Sequence, residues 1–196
     1  VEMSQGKLYE VDMRLRPSGR KGPVATSWTS FKDYQTNEAW AWEHLALTRG
    51  RVICGNSELS INIEDFRLQL IKNVRPEVAV RSLKEMREKI QKIDLNNNKW
   101  EFKQGIGRMQ DIELFSQLST VINGQVTRDV SSGLIAGSES GLLTNTQLDQ
   151  ILKTYKFLKE MNMATRLIND SSQEFEKIST SGHSFILKLT KINTIK

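Results

Sequence analysis

From Ser27 onward the apolar residues of this sequence recur at steps of three and four, in runs closed by single glycines and prolines. That spacing puts them on one face of a helix, so most of the chain has to fold as helices packed on one another. "EVAVRSLKEMREKIQKI" is the clearest case. Leu83, Met86, Ile90 and Ile93 form the stripe, and Arg81, Lys84, Glu85, Glu88 and Lys89 fill the other faces. Ser27, Thr29 or Ser30 can cap one or two helices ending at Gly50. "RVIC" reads as a short extended piece. Asn56 or Ser57 caps a helix to about Lys72, and Pro76 breaks the chain. A helix from about Met109 to Ile122 carries Ile112, Phe115, Leu118 and Val121/Ile122 on one stripe. Residues 123–143, rich in Gly, Ser and Thr, read as a loop. Asn145 or Thr146 then caps the longest helix, to about Ile168, and "SQEFEKIS" is a last helix. "LNNNK" is a turn, "WEFK" a short strand, and the end "SFILKLTKINTIK" is ambiguous.

One stretch departs from the helical period. In "KLYEVDMRLRPSGRKGP", Tyr9, Val11, Met13 and Leu15 alternate with Glu10, Asp12, Arg14 and Arg16 before the turn at Pro17-Ser18-Gly19. That is the pattern of a half-buried strand, and Val24–Ser27 reads as a short returning strand. The fold class is therefore mainly α with a small β part, a hairpin followed by a helical bundle. A hairpin alone makes no stable sheet. Together with a start at Val1 rather than Met, this leads us to expect a piece of a longer chain whose remaining strands lie upstream.

With 38% apolar and 26% charged residues the composition is that of a globular domain. Every long apolar run is interrupted by charge, so no membrane-spanning segment is expected, and no signal peptide is visible. The single cysteine, Cys54, excludes an internal disulfide and fits a reducing, cytoplasmic compartment. It reads as a small buried residue. His44 and His183, far apart, cannot build a closed zinc site with one Cys, and His44 has no partner nucleophile. A net charge of +5 suits an anionic ligand without being a nucleic-acid signature.

The polar face Glu10, Asp12, Arg14, Arg16 has two readings. It is either a solvated face with alternating ion pairs or a phosphate site, with a carboxylate holding Mg²⁺ or taking a proton and arginines neutralising phosphate oxygens. One carboxylate is not a metal site. Asp111 and Glu113 form a close acidic pair, but on a helix residues two apart do not share a face. Trp40 and Trp42 read as core. "KQGIGRMQDIE", including Lys103, has the look of a phosphate loop opening a helix, without the ending of a P-loop.

Taken together, "LYEVDMRLRPSGRKGPVATSWTSFKDYQTNEAWAWEHLALTRGRVICG", "LKEMREKI" and "FKQGIGRMQDIELFSQ" closely resemble the bacterial bifunctional glutamine synthetase adenylyltransferase and adenylyl-removing enzymes. The resemblance is strong over about residues 6–120 and looser at "YKFLKEMN". It implies two polymerase-β-type nucleotidyltransferase domains in the whole enzyme, each followed by a helical domain. Here residues 1–55 are the end of such a nucleotidyltransferase domain and 56–196 the helical bundle. "RPSG" followed by "EAWAWEHLAL" resembles the second, adenylylating half. The resemblance implies ATP as substrate, Mg²⁺ as cofactor, and glutamine synthetase and the PII signalling protein as partners, with no nucleic acid or membrane. It implies transfer of AMP to a tyrosine of glutamine synthetase, with release of pyrophosphate. Of the family's three carboxylates, the third matches Asp12, as metal ligand or base, with Arg14 and Arg16 near phosphates or the acceptor. The other two match nothing in this chain, so alone it should be inactive. The family's turn before Asp-Ile-Glu is altered here to Gly105-Ile106-Gly107-Arg108-Met109-Gln110, so a looser turn is expected. For Asp111 and Glu113, structural anchoring and substrate contact stay equally open, as does a purely regulatory, protein-binding role for the bundle.

Overall fold

The structure, a computed structural model, describes residues 2–3, 6–7, 22–93, 100–168 and 178–191. The chain divides into two compact units, Val1–Trp40 and Ala41–Lys196.

In the first unit, β1 (Glu2–Met3) pairs antiparallel with β2 (Gly6–Lys7), Glu2 opposite Lys7 and Met3 opposite Gly6. The alternating stretch 8–16 lies outside the described residues. The returning strand expected at Val24–Ser27 does not form. Ser27 is committed instead to opening α1 (Trp28–Asn37), its hydroxyl accepting from the Ser30 N–H at 3.1 Å. Trp28 stacks near Phe31, ring centroids 6.0 Å apart, and carries Lys32 over its face.

The second unit is helical. It comprises α2 (Ala41–Leu47), α3 (Ser57–Asn73), α4 (Pro76–Ile93), α5 (Met109–Asn123), α6 (Val130–Glu139), α7 (Asn145–Ile168) and α8 (Thr180–Thr190). Asn56 caps α3 as expected, its side-chain oxygen accepting from Glu58 and Leu59 N–H. Pro76 opens α4 rather than merely breaking the chain, since the first helical position needs no N–H. The cap of α7 is Thr144, one residue before the expected Asn145. Thr144 Oγ1 accepts from Gln147 N–H at 3.2 Å, and Gln147 Oε1 accepts from Thr144 N–H at 2.9 Å. This is a reciprocal capping box. The ambiguous end resolves into α8 up to Thr190, and "SQEFEKIS" and "LNNNK" fall largely or wholly outside the described residues.

Helix α5 is the hub. It packs against α2, α4, α6 and α7, and is buried at Met109, Ile112, Leu114, Leu118 and Val121 and also at Ser116, Ser119 and Thr120. The expected single stripe is thus widened by small polar residues. The helix covering that face is α6, which corrects the reading of 123–143 as one loop. Asp129 caps it through Ser132, and Val130, Gly133, Leu134 and Gly137 turn inward. A Cβ at Gly133 would collide with the Ser116 hydroxyl and stand 2.7 Å from the Ser116 carbonyl oxygen, so only glycine allows this approach. Glycine and serine mark a loop by local preference, but here they mark close helix packing.

Among the described residues three apolar clusters hold the unit. One joins Leu45 of α2 to Ile71, Ala79, Leu118 and Val121. A second joins Ile112, Val130 and Leu134 to the flank of α7, and a third gathers Phe102, Met161, Ala164, Ile178 and Ile186. Each fully buried Leu or Ile contributes about 1.5–3 kcal/mol. The strand expected at "WEFK" is absent. Phe102 is drawn into the third cluster, Trp100 edge-on to it at 6.4 Å, and no strand partners that segment among the described residues. Two further expectations are overturned. Cys54 is exposed, because the chain after α2 runs along the surface. Trp40, which precedes α2, is 69% exposed, and Trp42 is 39% exposed because α2 turns Leu45 inward and leaves its first turn outside.

Candidate functional site

The segment leading into α5 is built by backbone hydrogen bonds. Met109 N–H donates to the Phe102 carbonyl at 3.2 Å, and Gln110 N–H to the Lys103 carbonyl at 2.9 Å. Lys103 N–H in turn donates to Glu101 Oε1 at 2.7 Å. Two of the first-turn N–H groups that a phosphate would need, those of Met109 and Gln110, are therefore taken up within the chain. Gly105 and Gly107 have φ of +122° and +72°, which only glycine adopts freely, and Arg108 Nη1 donates to the Gln104 carbonyl at 2.9 Å. Far from being loose, the turn is tied at both ends. Lys103 itself is exposed.

Asp111 and Glu113 diverge from α5 as their spacing requires. Asp111 faces α4, where Arg87 grips it with two hydrogen bonds, Nε to Oδ1 at 3.1 Å and Nη2 to Oδ2 at 2.8 Å. Oδ2 also accepts from Gly107 N–H at 2.9 Å. One carboxylate thereby fastens α4, α5 and the turn. Glu113 faces the other way. Its Oε2 takes Arg49 Nη1 at 3.2 Å, and its Oε1 accepts the Tyr155 hydroxyl of α7 at 3.0 Å. Burial, then the Glu113 charge and hydrogen bond, push the Tyr155 phenol up to about 12, so it is a donor at neutral pH.

A second polar node lies midway along α3. Arg67, only 5% exposed, donates to the Leu47 and Thr48 carbonyls at the end of α2, at 2.9 and 3.2 Å, and to Glu64 Oε2 at 2.6 Å. Glu64 also receives Val52 N–H at 3.1 Å and the Arg128 guanidinium at 3.5 Å. Burial opposes its charge. The Arg67 and Val52 hydrogen bonds and the two arginine charges outweigh that and hold it below its ordinary 4.5. Asp129 is held below its ordinary 3.8, chiefly by Ser132, with Arg49 adding a favourable charge. An open cleft of about 470 Å³ lies beside this node, lined by Ile53, Cys54, Ile61, Glu64, Asp65 and Arg128. Arg87 has no sequence signal for its role, because its partner Asp111 is 24 residues away; Glu64 and Arg67 are an i,i+3 pair, but the carbonyls, Val52 N–H and Arg128 that complete their node come from other segments, as Glu113 does for Tyr155.

Asp12, Arg14 and Arg16 lie outside the described residues. Among the described residues no three His, Cys, Asp or Glu side chains come together as a metal site, and no helix is long and apolar enough to cross a membrane.

Comparison with known proteins supplies what the geometry does not name. Residues 2–66 match the family model of glutamate-ammonia ligase adenylyltransferase, and residues 79–177 match that of PII-uridylyltransferase. Both matched families are named for nucleotidyl transfer, and the second match covers the helical region from α4 to α7. The chain is 37% identical over 174 residues to the bifunctional glutamine synthetase adenylyltransferase/adenylyl-removing enzyme of Rhizobium meliloti, covering 85% of this chain and 18% of that protein. The enzyme of the same description from Brucella suis is 36% identical over 178 residues, 86% of this chain and 18% of that one. That of Agrobacterium fabrum is 42% identical over 120 residues, 61% and 12%. The chain belongs to the glutamine synthetase adenylyltransferase family. It spans about a fifth of the length of these relatives.

Proposed function

We propose that this chain is part of an enzyme that transfers AMP from ATP to a tyrosine hydroxyl of glutamine synthetase, releasing pyrophosphate, in the bacterial cytoplasm. The observation that carries this is its likeness to the bifunctional enzymes over 85% of its length. The "RPSG" form of the first segment supports the adenylylating rather than the removing half. Residues 1–55 are read as the end of the nucleotidyltransferase domain and 56–196 as the helical domain.

Asp12 is assigned to the active site as metal ligand or base, with Arg14 and Arg16 beside the phosphates. Mg²⁺ supplies charge neutralisation in chemistry of this class. The match of 79–177 to PII-uridylyltransferase supports PII as a partner of the helical region.

The test is transfer of α-labelled AMP to glutamine synthetase by the full-length protein carrying this sequence. Asp12→Asn should lower the rate by about 100-fold or more with the fold intact, the scale of losing a group acting at the reacting centre. Residues 1–196 alone should transfer nothing. No labelling by the full-length protein, or full activity of Asp12→Asn, overturns the assignment.

A further inference from the structure

Glu113 joins two parts of the chain that matched different families. Arg49 belongs to the stretch matching the adenylyltransferase model, while Glu113 and Tyr155 belong to the stretch matching the uridylyltransferase model. The three side chains meet in a line, Arg49 Nη1 3.2 Å from Glu113 Oε2 and Tyr155 OH 3.0 Å from Glu113 Oε1. They are separated by 64 and 42 residues in sequence.

The segment after α2 is held from two sides. On the α3 side Arg67 and Glu64 grip the Leu47 and Thr48 carbonyls and the Val52 N–H, with the Arg67 side chain only 6% exposed. On the α5 side the grip is the Arg49–Glu113 pair, whose side chains are 38% and 27% exposed. The first is an interior anchor. The second is accessible to solvent and can be released without opening the core. Its other end is Tyr155, whose ring packs in the cluster of Ile112, Val130 and Leu134 while its hydroxyl reaches the carboxylate. A shift of α7 moves that hydroxyl.

We propose that Glu113 is a relay through which α7 sets the position of the segment 48–55, and through it the rate of the transfer reaction. The catalytic half of this rests on the function proposed above. Glu113 is a positioning residue here, touching no substrate.

The experiment uses the full-length protein, with Tyr155→Phe and Glu113→Gln singly and together. Amide hydrogen exchange is followed by peptide, and transfer of AMP to glutamine synthetase is measured in parallel. Exchange within 48–55 should quicken by about fivefold, the lower end of coupling between sites, while α3 and α8 stay unchanged. kcat should fall by about the same factor with the KM for ATP unchanged, and the double variant should be no worse than Glu113→Gln, because the tyrosine acts through the glutamate. Tyr155→Phe keeps the ring in the core, so it carries the test even if Glu113→Gln misfolds. Unchanged exchange in 48–55, or a uniform rise throughout, overturns the relay. Faster exchange at an unchanged kcat overturns its reach into the reaction. Absence of transfer by the unsubstituted protein refutes the proposed function, and exchange still decides the relay.

Discussion

Arg67 sits on α3 with its guanidinium buried, hydrogen-bonded to two backbone carbonyls and to the Glu64 carboxylate. Removing it leaves the Thr48 carbonyl without its arginine donor, the Leu47 carbonyl with the Gly50 N–H alone, and Glu64 without its main partner. Arg67→Met should cost about 3 kcal/mol of unfolding free energy, the scale of breaking a buried pair from one side. Urea denaturation reads this directly, and a loss below about 0.5 kcal/mol, that of an ordinary surface site, would mean that the node is ornamental. The same residue sets an acid response. Glu64 and Asp129 have folded values depressed below 4.5 and 3.8, so their contribution is present above those values and is lost as pH falls through the lower folded ones. In Arg67→Met the Glu64 share of that acid loss should shrink, and a pH series of melting temperatures shows whether it does.

At the scale of elements, the contact of α5 with α6 depends on small residues from both sides. Gly133 and Gly137 of α6 lie against Ser116, Ser119 and Thr120 of α5. The hydroxyls are satisfied locally: Ser116 donates to the Val130 carbonyl at 2.9 Å, and Thr120 to the Ser116 carbonyl at 3.0 Å. Alanine is the better helix former by about 1 kcal/mol. In an isolated helix Gly133→Ala would therefore stabilise. Here the new methyl meets a backbone carbonyl, which cannot swing aside, so Gly133→Ala should destabilise by about 1–3 kcal/mol. A raised melting temperature would show that the helices part easily and that the close approach is incidental.

At the scale of the molecule, the apolar clusters found among the described residues lie at or beyond Leu45, inside the unit Ala41–Lys196. That unit should fold by itself. Residues 41–196 expressed alone should keep a cooperative thermal transition and a helical circular dichroism spectrum, whereas a broad, non-cooperative melt would mean that the core needs residues 1–40.

Sequence by itself was enough for the helices whose stripe is apolar and whose ends are marked. Asn56, Pro76 and the periodic runs of α3, α4, α5 and α7 are local signals, and local signals survive folding. It was enough, too, to say that Asp111 and Glu113 cannot clamp one ion, since helix geometry alone sends them apart. What it could not yield was anything set by a distant partner. Whether Gly133 marks a loop or a contact depends on Ser116 across the interface. Whether Trp42 is buried depends on which side of α2 meets α5, and whether Cys54 is buried depends on where the chain after α2 runs. Arg49 and Tyr155 find Glu113 across 64 and 42 residues, and no spacing rule spans that distance. Tertiary structure decided those points because burial and pairing belong to two surfaces at once, and a sequence shows them only one at a time.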